Sequence, residues 1–121
     1  MNLIALILAI IMVESGGNNQ AFNESENAAG CLQIRPICVK DINRIIGEEK
    51  YCLNDRYDRV KSIEMFKIYT SHYYNRFKKE ICQANISEFE AKARIWNGGP
   101  LGWQKDSTKK YWLLVKEQLE E

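Results

Sequence analysis

The chain has 121 residues, of which 45% are hydrophobic and 27% charged, and its net charge is +1. These values are ordinary for one soluble globular domain, here residues 1–121, and the absence of biased tracts argues against linkers and repeats. The near balance of charge neither predicts nor excludes a polyanionic partner.

The first predicted element is an apolar helix from about Asn2 to Glu14. Leu3–Val13 carries no charged or hydrogen-bonding side chain, so we expect this helix to be buried and central to the domain. The run is too short to span a bilayer, and it lacks the basic start and the small-residue cleavage site of a secretion signal. A secretion signal and a membrane anchor are therefore the less favoured alternatives.

The apolar run stops at Glu14, which is followed by Ser15 and a polar segment at residues 16–20. A carboxyl at such a junction has hydrocarbon on one side, and desolvation raises the pKa of a carboxyl by disfavouring its charged form. A carboxylic acid that stays protonated near neutral pH can serve as a general acid. The alternative is a solvated carboxylate, although the C-terminal end of a helix disfavours an anion.

Periodicity and capping signals predict the remaining elements. Residues 18–29 are predicted to be a polar loop, and residues 30–35 are too short to assign. Four more helices are predicted. The second helix runs from Pro36 to a cap at Gly47, with Ile37, Ile42, Ile45 and Ile46 mostly on one face, and the third runs from a cap at Asp58 to about Ile81. The fourth runs from a capping box at Ser87 to the breaker Gly98-Gly99-Pro100, and the fifth begins at Asp106 or Ser107. No convincing strand is found, so the predicted class is all-α.

Cysteine spacing predicts neither a metal site nor a disulfide framework. Cys31, Cys38, Cys52 and Cys82 form no C-x-x-C pair, and the single histidine, His72, is distant from all four in sequence. Buried free thiols are the favoured state, with one or two disulfide bridges as the alternative. We expect no metal and no other cofactor.

Three polar clusters lie where predicted helices begin or end: Glu14-Ser15, Gly30-Cys-Leu-Gln33 and Trp96-Asn97-Gly98-Gly99. Together they supply a carboxyl for proton transfer, amides for hydroxyl and N-acetyl groups, and an aromatic face for a pyranose ring. Function commonly lies on loops held by a rigid scaffold. Each cluster alone also has an ordinary structural explanation, such as an exposed turn glutamine or an asparagine C-cap.

In this order the clusters resemble the motifs of the lysozyme-like lytic transglycosylases, in particular the catalytic domain of the soluble lytic transglycosylases, a relative of goose-type lysozyme. That family has Glu-Ser at the end of an apolar helix, then a Gly-Leu-Met-Gln-Ile motif and an Ala-Tyr-Asn-x-Gly motif. The chain reads MVESGGN, AAGCLQIRP and ARIWNGGPLGW, followed by Thr-x-x-Tyr-Trp at residues 108–112. The resemblance covers roughly residues 3 to 115 and implies a lysozyme-like helical fold with an active-site cleft.

The resemblance implies a role for each matching residue. Glu14 is the sole catalytic acid and base, and Ser15 is its neighbour in the cleft. Gln33 lines the cleft beside the scissile bond, and Asn97 is the asparagine of the third motif. Tyr111 corresponds to a late tyrosine near the acid, with a neighbour such as Trp112 as the alternative.

Two positions depart from the family pattern. Cys31 stands where leucine or methionine is usual, which we interpret as a packing change. Trp96 replaces a tyrosine, and an indole N–H donates a hydrogen bond but cannot accept one. Trp96 is therefore expected either to stack on a sugar ring or to pack in the core.

The implied substrate is the β-1,4 bond between N-acetylmuramic acid and N-acetylglucosamine in peptidoglycan, cleaved to a 1,6-anhydromuramoyl product. Hydrolysis by a muramidase is the alternative, since glycosidases commonly use two carboxyls. Glu24 and Glu26 are then the candidate second carboxyl, although both are typical of solvated loop charges. A non-catalytic murein-binding domain is a third and less favoured interpretation.

The expected partner is the peptidoglycan glycan strand alone. We expect a monomer that acts on the bacterial cell wall, in the periplasm or outside the cell, without nucleic acid and without stable membrane insertion. The chain shows no convincing export signal, which suits a phage-encoded enzyme or a mobile-element protein and equally a domain excised from a longer chain.

Overall fold

The computed structural model describes residues 2–120, which form five α-helices and one two-stranded antiparallel sheet. The helices are α1 (Leu3–Ser15), α2 (Pro36–Ile46), α3 (Arg59–Gln83), α4 (Glu88–Gly98) and α5 (Lys109–Glu120). The strands are β1 (Phe22–Asn23) and β2 (Ala28–Ala29), and short 3₁₀ helices occupy Leu53–Tyr57, Gly102–Gln104 and Asp106–Thr108. The all-α class predicted from the sequence is confirmed.

The chain divides into two compact units. The first unit is Ile11–Tyr69, and the second unit is residues 2–10 together with residues 70–120. The boundaries fall within α1 and within α3, so each of these helices contributes residues to both units.

Helix α1 is buried over most of its circumference. The Oδ1 of Asn2 accepts the N–H of Ala5 at 2.9 Å and so caps the first turn. Five residues are at most 6% exposed: Leu6, Ile7, Ala9, Ile10 and Ile11. Ile4, Leu8 and Met12 are 48 to 53% exposed, and their spacing of four places them on one stripe. Burial is therefore less complete than the uniformly apolar composition suggested. No helix within residues 2–120 is long and apolar enough to cross a bilayer.

A short β-hairpin lies inside the segment predicted to be a polar loop. Phe22 pairs with Ala29 and Asn23 pairs with Ala28. The Oδ1 of Asn23 accepts the N–H of Ser25 at 3.1 Å and its hydroxyl at 2.8 Å, which stabilises the turn. Two-residue strands carry too little alternation to be recognised from sequence, and this explains why the prediction of a plain loop was wrong here.

Helix α2 begins and ends where predicted. Pro36 occupies the first position and Gly47 is a left-handed C-cap with φ of 77°. The predicted buried face is wrong at Ile37, which is 72% exposed. The buried positions of α2 are Val39, Ile42 and Asn43. The polar Asn43 lies inward because its side chain forms hydrogen bonds with the backbone of Tyr51, in the loop beyond the helix.

The later helices also follow their predicted capping signals. The Oδ1 of Asp58 accepts the N–H of Lys61 at 2.9 Å at the start of α3. Ser87 accepts the N–H of Glu90 at 3.2 Å at the start of α4. The serine half of the predicted capping box is therefore present. The Glu90 carboxylate instead accepts a hydrogen bond from Arg94 Nη1 at 2.7 Å. Helix α5 begins slightly later than predicted, because Asp106–Thr108 forms a 3₁₀ turn.

All four cysteines are free thiols, as predicted. Cys31 is buried and Cys38 half-buried, but Cys52 and Cys82 are exposed. The prediction of burial is wrong for the last two. At the end of α3, Ile81 is fully buried, and the next residue, Cys82, is exposed.

Candidate active site

Ser15, the last residue of α1, connects the helix end to the loop that follows β2. Its Oγ lies 2.8 Å from the carbonyl oxygen of Cys31 and 3.1 Å from that of Ile11. It also accepts the N–H of Gly17 at 3.2 Å. A serine near a helix end commonly bonds the carbonyl four residues back, but here the hydroxyl also reaches a second segment. The half-buried Glu14 precedes it, so the backbone of the candidate acid is held beside the second motif.

The second motif is a four-residue loop, Gly30–Gln33, closed by a β-bridge. The bridge consists of the Ala29 N–H to Ile34 carbonyl bond (3.0 Å) and the reverse bond (2.9 Å). Gly30 has φ of 84°, and a Cβ added there would overlap the carbonyl oxygen of Arg56. Glycine is therefore required both by conformation and by close approach.

Gln33 closes this loop in a conformation that glutamine rarely adopts. Its φ is 52°, and a non-glycine residue in that region carries strain of about 1–3 kcal/mol. The side chain bends back over the loop, with Nε2 lying 3.0 Å from the Gly30 carbonyl and 3.3 Å from the Ala21 carbonyl. Strained residues of this kind concentrate at functional sites, and the role of Gln33 in the cleft stays a prediction.

Arg56 holds the hairpin and the second motif in place through hydrogen bonds to their main-chain carbonyl groups. It is 5% exposed, and its Nη1 donates to the carbonyls of Asn27 (2.7 Å) and Ile34 (3.0 Å). Its Nε donates to the carbonyl of Leu53 at 2.9 Å. A buried guanidinium needs such partners to offset its desolvation. Sequence reasoning missed this residue, because an arginine in a polar connection looks like a solvated charge.

Arg59 fixes the loop that follows Glu14 and Ser15. Its Nη1 lies 2.9 Å from Asn19 Oδ1 and 3.3 Å from the Gly17 carbonyl. Burial raises the pKa of the Cys31 thiol, and the positive charge of Arg59 partly opposes that rise. Arg59 was also missed, although one signal existed: it opens α3, where the helix dipole disfavours a cation.

The hairpin turn carries the two carboxylates that could assist hydrolysis. Glu26 pairs with Arg35 at 3.1 Å, and both side chains are 51% exposed, so the pair is a weak solvated one. Glu24 is exposed and makes no side-chain hydrogen bond within the described part of the chain. Both belong to the first unit, as does Glu14.

The third motif lies at the end of α4 in the second unit. Trp96 is half-buried and Asn97 is exposed. The buried Arg94 donates to Thr108 Oγ1 (2.8 Å) and to the Lys105 carbonyl (2.9 Å), and so fixes the segment that follows α4. The motif is thus presented on a rigid helix end.

Glu14, Ser15 and Gln33 all belong to the first unit, and Ser15 is hydrogen-bonded to the loop that carries Gln33. Trp96, Asn97 and the buried Tyr111 belong to the second unit, and their participation in the same site stays a prediction.

Comparison with known proteins gives one family and two curated relatives. The family model of the transglycosylase SLT domain matches residues 2–113. A lysozyme of Ostrea edulis is 32% identical over 91 residues, which are 75% of this chain and 60% of that protein. Invertebrate-type lysozyme 6 of Caenorhabditis elegans is 43% identical over 44 residues, which are 36% of this chain and 32% of that protein. The chain therefore spans about three fifths of the length of the Ostrea edulis lysozyme and about one third of the length of the Caenorhabditis elegans lysozyme. No solved structure matches the chain.

Proposed function

The chain belongs to the transglycosylase SLT domain family, and from that premise we propose that it cleaves the β-1,4 bond between N-acetylmuramic acid and N-acetylglucosamine in peptidoglycan. One observation carries the proposal: Glu14-Ser15 ends an apolar helix and is bonded through Ser15 to the loop that holds Gln33. The two relatives are named lysozymes, which supports a glycan-cleaving activity.

The proposed reaction is a lytic transglycosylation with Glu14 as its only catalytic carboxyl. The protonated carboxyl donates its proton to the glycosidic oxygen while the bond from that oxygen to the muramoyl C1 breaks. The substrate's own N-acetyl group stabilises the positive charge that develops. The Glu14 carboxylate then accepts the proton of the muramoyl 6-hydroxyl, whose oxygen bonds to C1. The 1,6-anhydro ring closes, no water is consumed, and Glu14 is protonated again.

We propose that the remaining motif residues contact the glycan. Ser15 and Gln33 lie in the first unit with the acid. In the second unit the half-buried Trp96 offers a ring face for stacking, the exposed Asn97 offers an amide, and Tyr111 offers its hydroxyl. The site of action is the bacterial cell wall, and the active form is a single chain, which light scattering coupled to gel filtration would test.

Hydrolysis is the second candidate, favoured by the names of the relatives and by the carboxylates on the hairpin turn. A hydrolase of this type needs a second carboxylate that activates water. Glu24 fits that role better than Glu26, since Glu26 is already paired with Arg35.

Digestion of purified murein, followed by mass spectrometry, tests the proposal and separates the two reactions. Transglycosylation yields anhydromuropeptides, each lighter by one water than the hydrolytic product, and these resist reduction by borohydride. Reducing ends alone would establish the hydrolase. Murein that is bound without release of any product would contradict both reactions.

A further inference from the structure

The orientation of the Gln33 side-chain amide is fixed by two main-chain carbonyls. Its nitrogen lies 3.0 Å from the Gly30 carbonyl oxygen and 3.3 Å from the Ala21 carbonyl oxygen. A carbonyl oxygen can only accept hydrogen bonds, whereas an amide has a donating and an accepting end. The NH₂ group must therefore face these carbonyls, because the reverse orientation would place three acceptors together.

The two carbonyls are themselves held in place. The Ala21 carbonyl accepts the N–H of Gly30 at 2.8 Å, and the Gly30 carbonyl accepts the backbone N–H of Gln33 at 3.1 Å. The bridge between Ala29 and Ile34 closes the loop around them. The amide nitrogen therefore docks on a fixed frame, and the amide cannot rotate without losing both of its bonds.

This arrangement leaves Oε1 as an acceptor for another molecule. Within the described part of the chain, Gln33 makes no hydrogen bond through Oε1. Among the described residues, the buried side-chain nitrogen or oxygen atom that lacks a hydrogen-bond partner is Trp103 Nε1, so the unbonded Oε1 of Gln33 is exposed to solvent and open to a ligand.

We infer that Gln33 is a specificity-determining residue that binds the glycan as a hydrogen-bond acceptor and not as a donor. Its ligand must then present an N–H or an O–H, and the acetamido carbonyl of a sugar is excluded as its partner. The inference rests on the proposed function, which supplies the glycan. Acetamido N–H groups and sugar hydroxyls share the required donor chemistry.

The test uses the full chain carrying Glu14→Gln, which leaves a bound glycan intact, and a tetrasaccharide of N-acetylglucosamine as the probe. NMR follows the side-chain carbonyl carbon and the Nε2 protons of Gln33 during titration. We expect the carbon signal to move downfield with saturation, because its oxygen gains a donor, while the Nε2 protons keep their shifts and their slow exchange. Exposure of the Nε2 protons to exchange, a carbon signal that stays still while other residues report binding, or a complete lack of binding would overturn the inference.

A second measurement compares substitutions of matched length. Gln33→Met removes both polar ends of the amide and is expected to weaken saccharide binding about tenfold. The same substitution at the exposed Gln83 should leave binding unchanged. Undiminished binding by the Gln33→Met variant would reject the acceptor role.

A probe with N-methylated acetamido groups distinguishes the two donor sources. If methylation weakens binding to the protein with Gln33 but not to the Gln33→Met variant, the bound donor is the acetamido N–H. Equal weakening in both proteins identifies a hydroxyl donor. Digestion of murein by the unmodified chain reports separately on the proposed function: cleavage together with a stationary Gln33 signal rejects the acceptor role alone.

Discussion

The hydroxyl of Ser15 lies 2.8 Å from the carbonyl oxygen of Cys31. This hydrogen bond joins the residue after Glu14 to the loop that carries Gln33. The relative position of the candidate acid and of the amide therefore depends on a contact between residues that are distant in sequence. Misplacement of a catalytic group by about 1 Å can lower a rate by orders of magnitude.

Loss of this contact is expected to reduce turnover more than stability. Ser15→Ala should lower the kcat of murein cleavage about tenfold and the free energy of unfolding by about 1 kcal/mol. Ser107→Ala, at an exposed position of the second unit, is the matched control and should change neither. An unchanged kcat in the Ser15 variant would show that the contact does not position the acid.

Gly30 should be far less tolerant of a side chain than another glycine with a similar backbone. Gly30→Ala places a Cβ against the Arg56 carbonyl and should lower the free energy of unfolding by about 3 kcal/mol. Gly47 has φ of 77° with no atom within 4 Å of an added Cβ, so Gly47→Ala should cost about 1 kcal/mol, from backbone strain alone. Urea unfolding measures both, and equal costs would contradict the close approach at Gly30.

The hairpin carboxylates should be dispensable if the reaction is a transglycosylation. Glu24→Gln and Glu26→Gln are each expected to change the rate of murein cleavage less than about threefold, because exposed charges away from the reacting atoms contribute little. The anhydro product should be unchanged. A loss of about a hundredfold or more in the Glu24 variant, with reducing ends in the parent digest, would identify Glu24 as the second carboxyl of a hydrolase.

Tyr51 should make stability fall in alkaline solution. Burial, and a 2.7 Å hydrogen bond to Glu64, raise the pKa of Tyr51 to about 12, compared with an ordinary value of about 10. The unfolded chain therefore loses this proton first, so the stabilisation is complete below about pH 10 and is lost as pH rises towards about 12. Tyr51→Phe should be less stable at neutral pH but show a shallower alkaline decline.

Urea midpoints measured from neutral to alkaline pH test this expectation, with Tyr57→Phe as the control for removal of a phenol. Burial also raises the pKa of Tyr74, so part of the decline should persist in the Tyr51 variant. An alkaline decline of unchanged slope would show that Tyr51 titrates alike in the folded and unfolded chains.

Helix ends could be predicted because their signals are local. The Asp58 carboxylate bonds a backbone N–H three residues ahead, and Ser87 does the same. Gly47 and Gly99 end their helices with positive φ. Such interactions depend on neighbours within one turn, so residue type and spacing identify them.

The buried faces and the hairpin could not be predicted as well, because they depend on distant partners. Arg56 reaches Asn27 across 29 positions of sequence, and no local pattern encodes that contact. The inward position of Asn43 follows from its bonds to Tyr51, whereas Ile37 on the same helix is exposed.

The same limit applies to the candidate site. Glu14, Ser15 and Gln33 were predicted because they stand in motifs whose order resembles a known family. Arg59 was not, because its partners Asn19 and Gly17 lie 40 and 42 positions away and only the folded chain brings them together.

We propose that Glu14 alone transfers the proton in glycan cleavage, and the rate at which a Glu14→Gln variant releases muropeptides from purified murein tests this role. Glutamine matches the size of the side chain but cannot donate a proton to the glycosidic oxygen. We expect a rate lower by about a thousandfold, with a urea midpoint like that of the parent. The control variant Glu117→Gln, on the exposed face of α5, should keep full activity. A folded Glu14→Gln variant that retained a tenth of the parental rate would contradict the assignment.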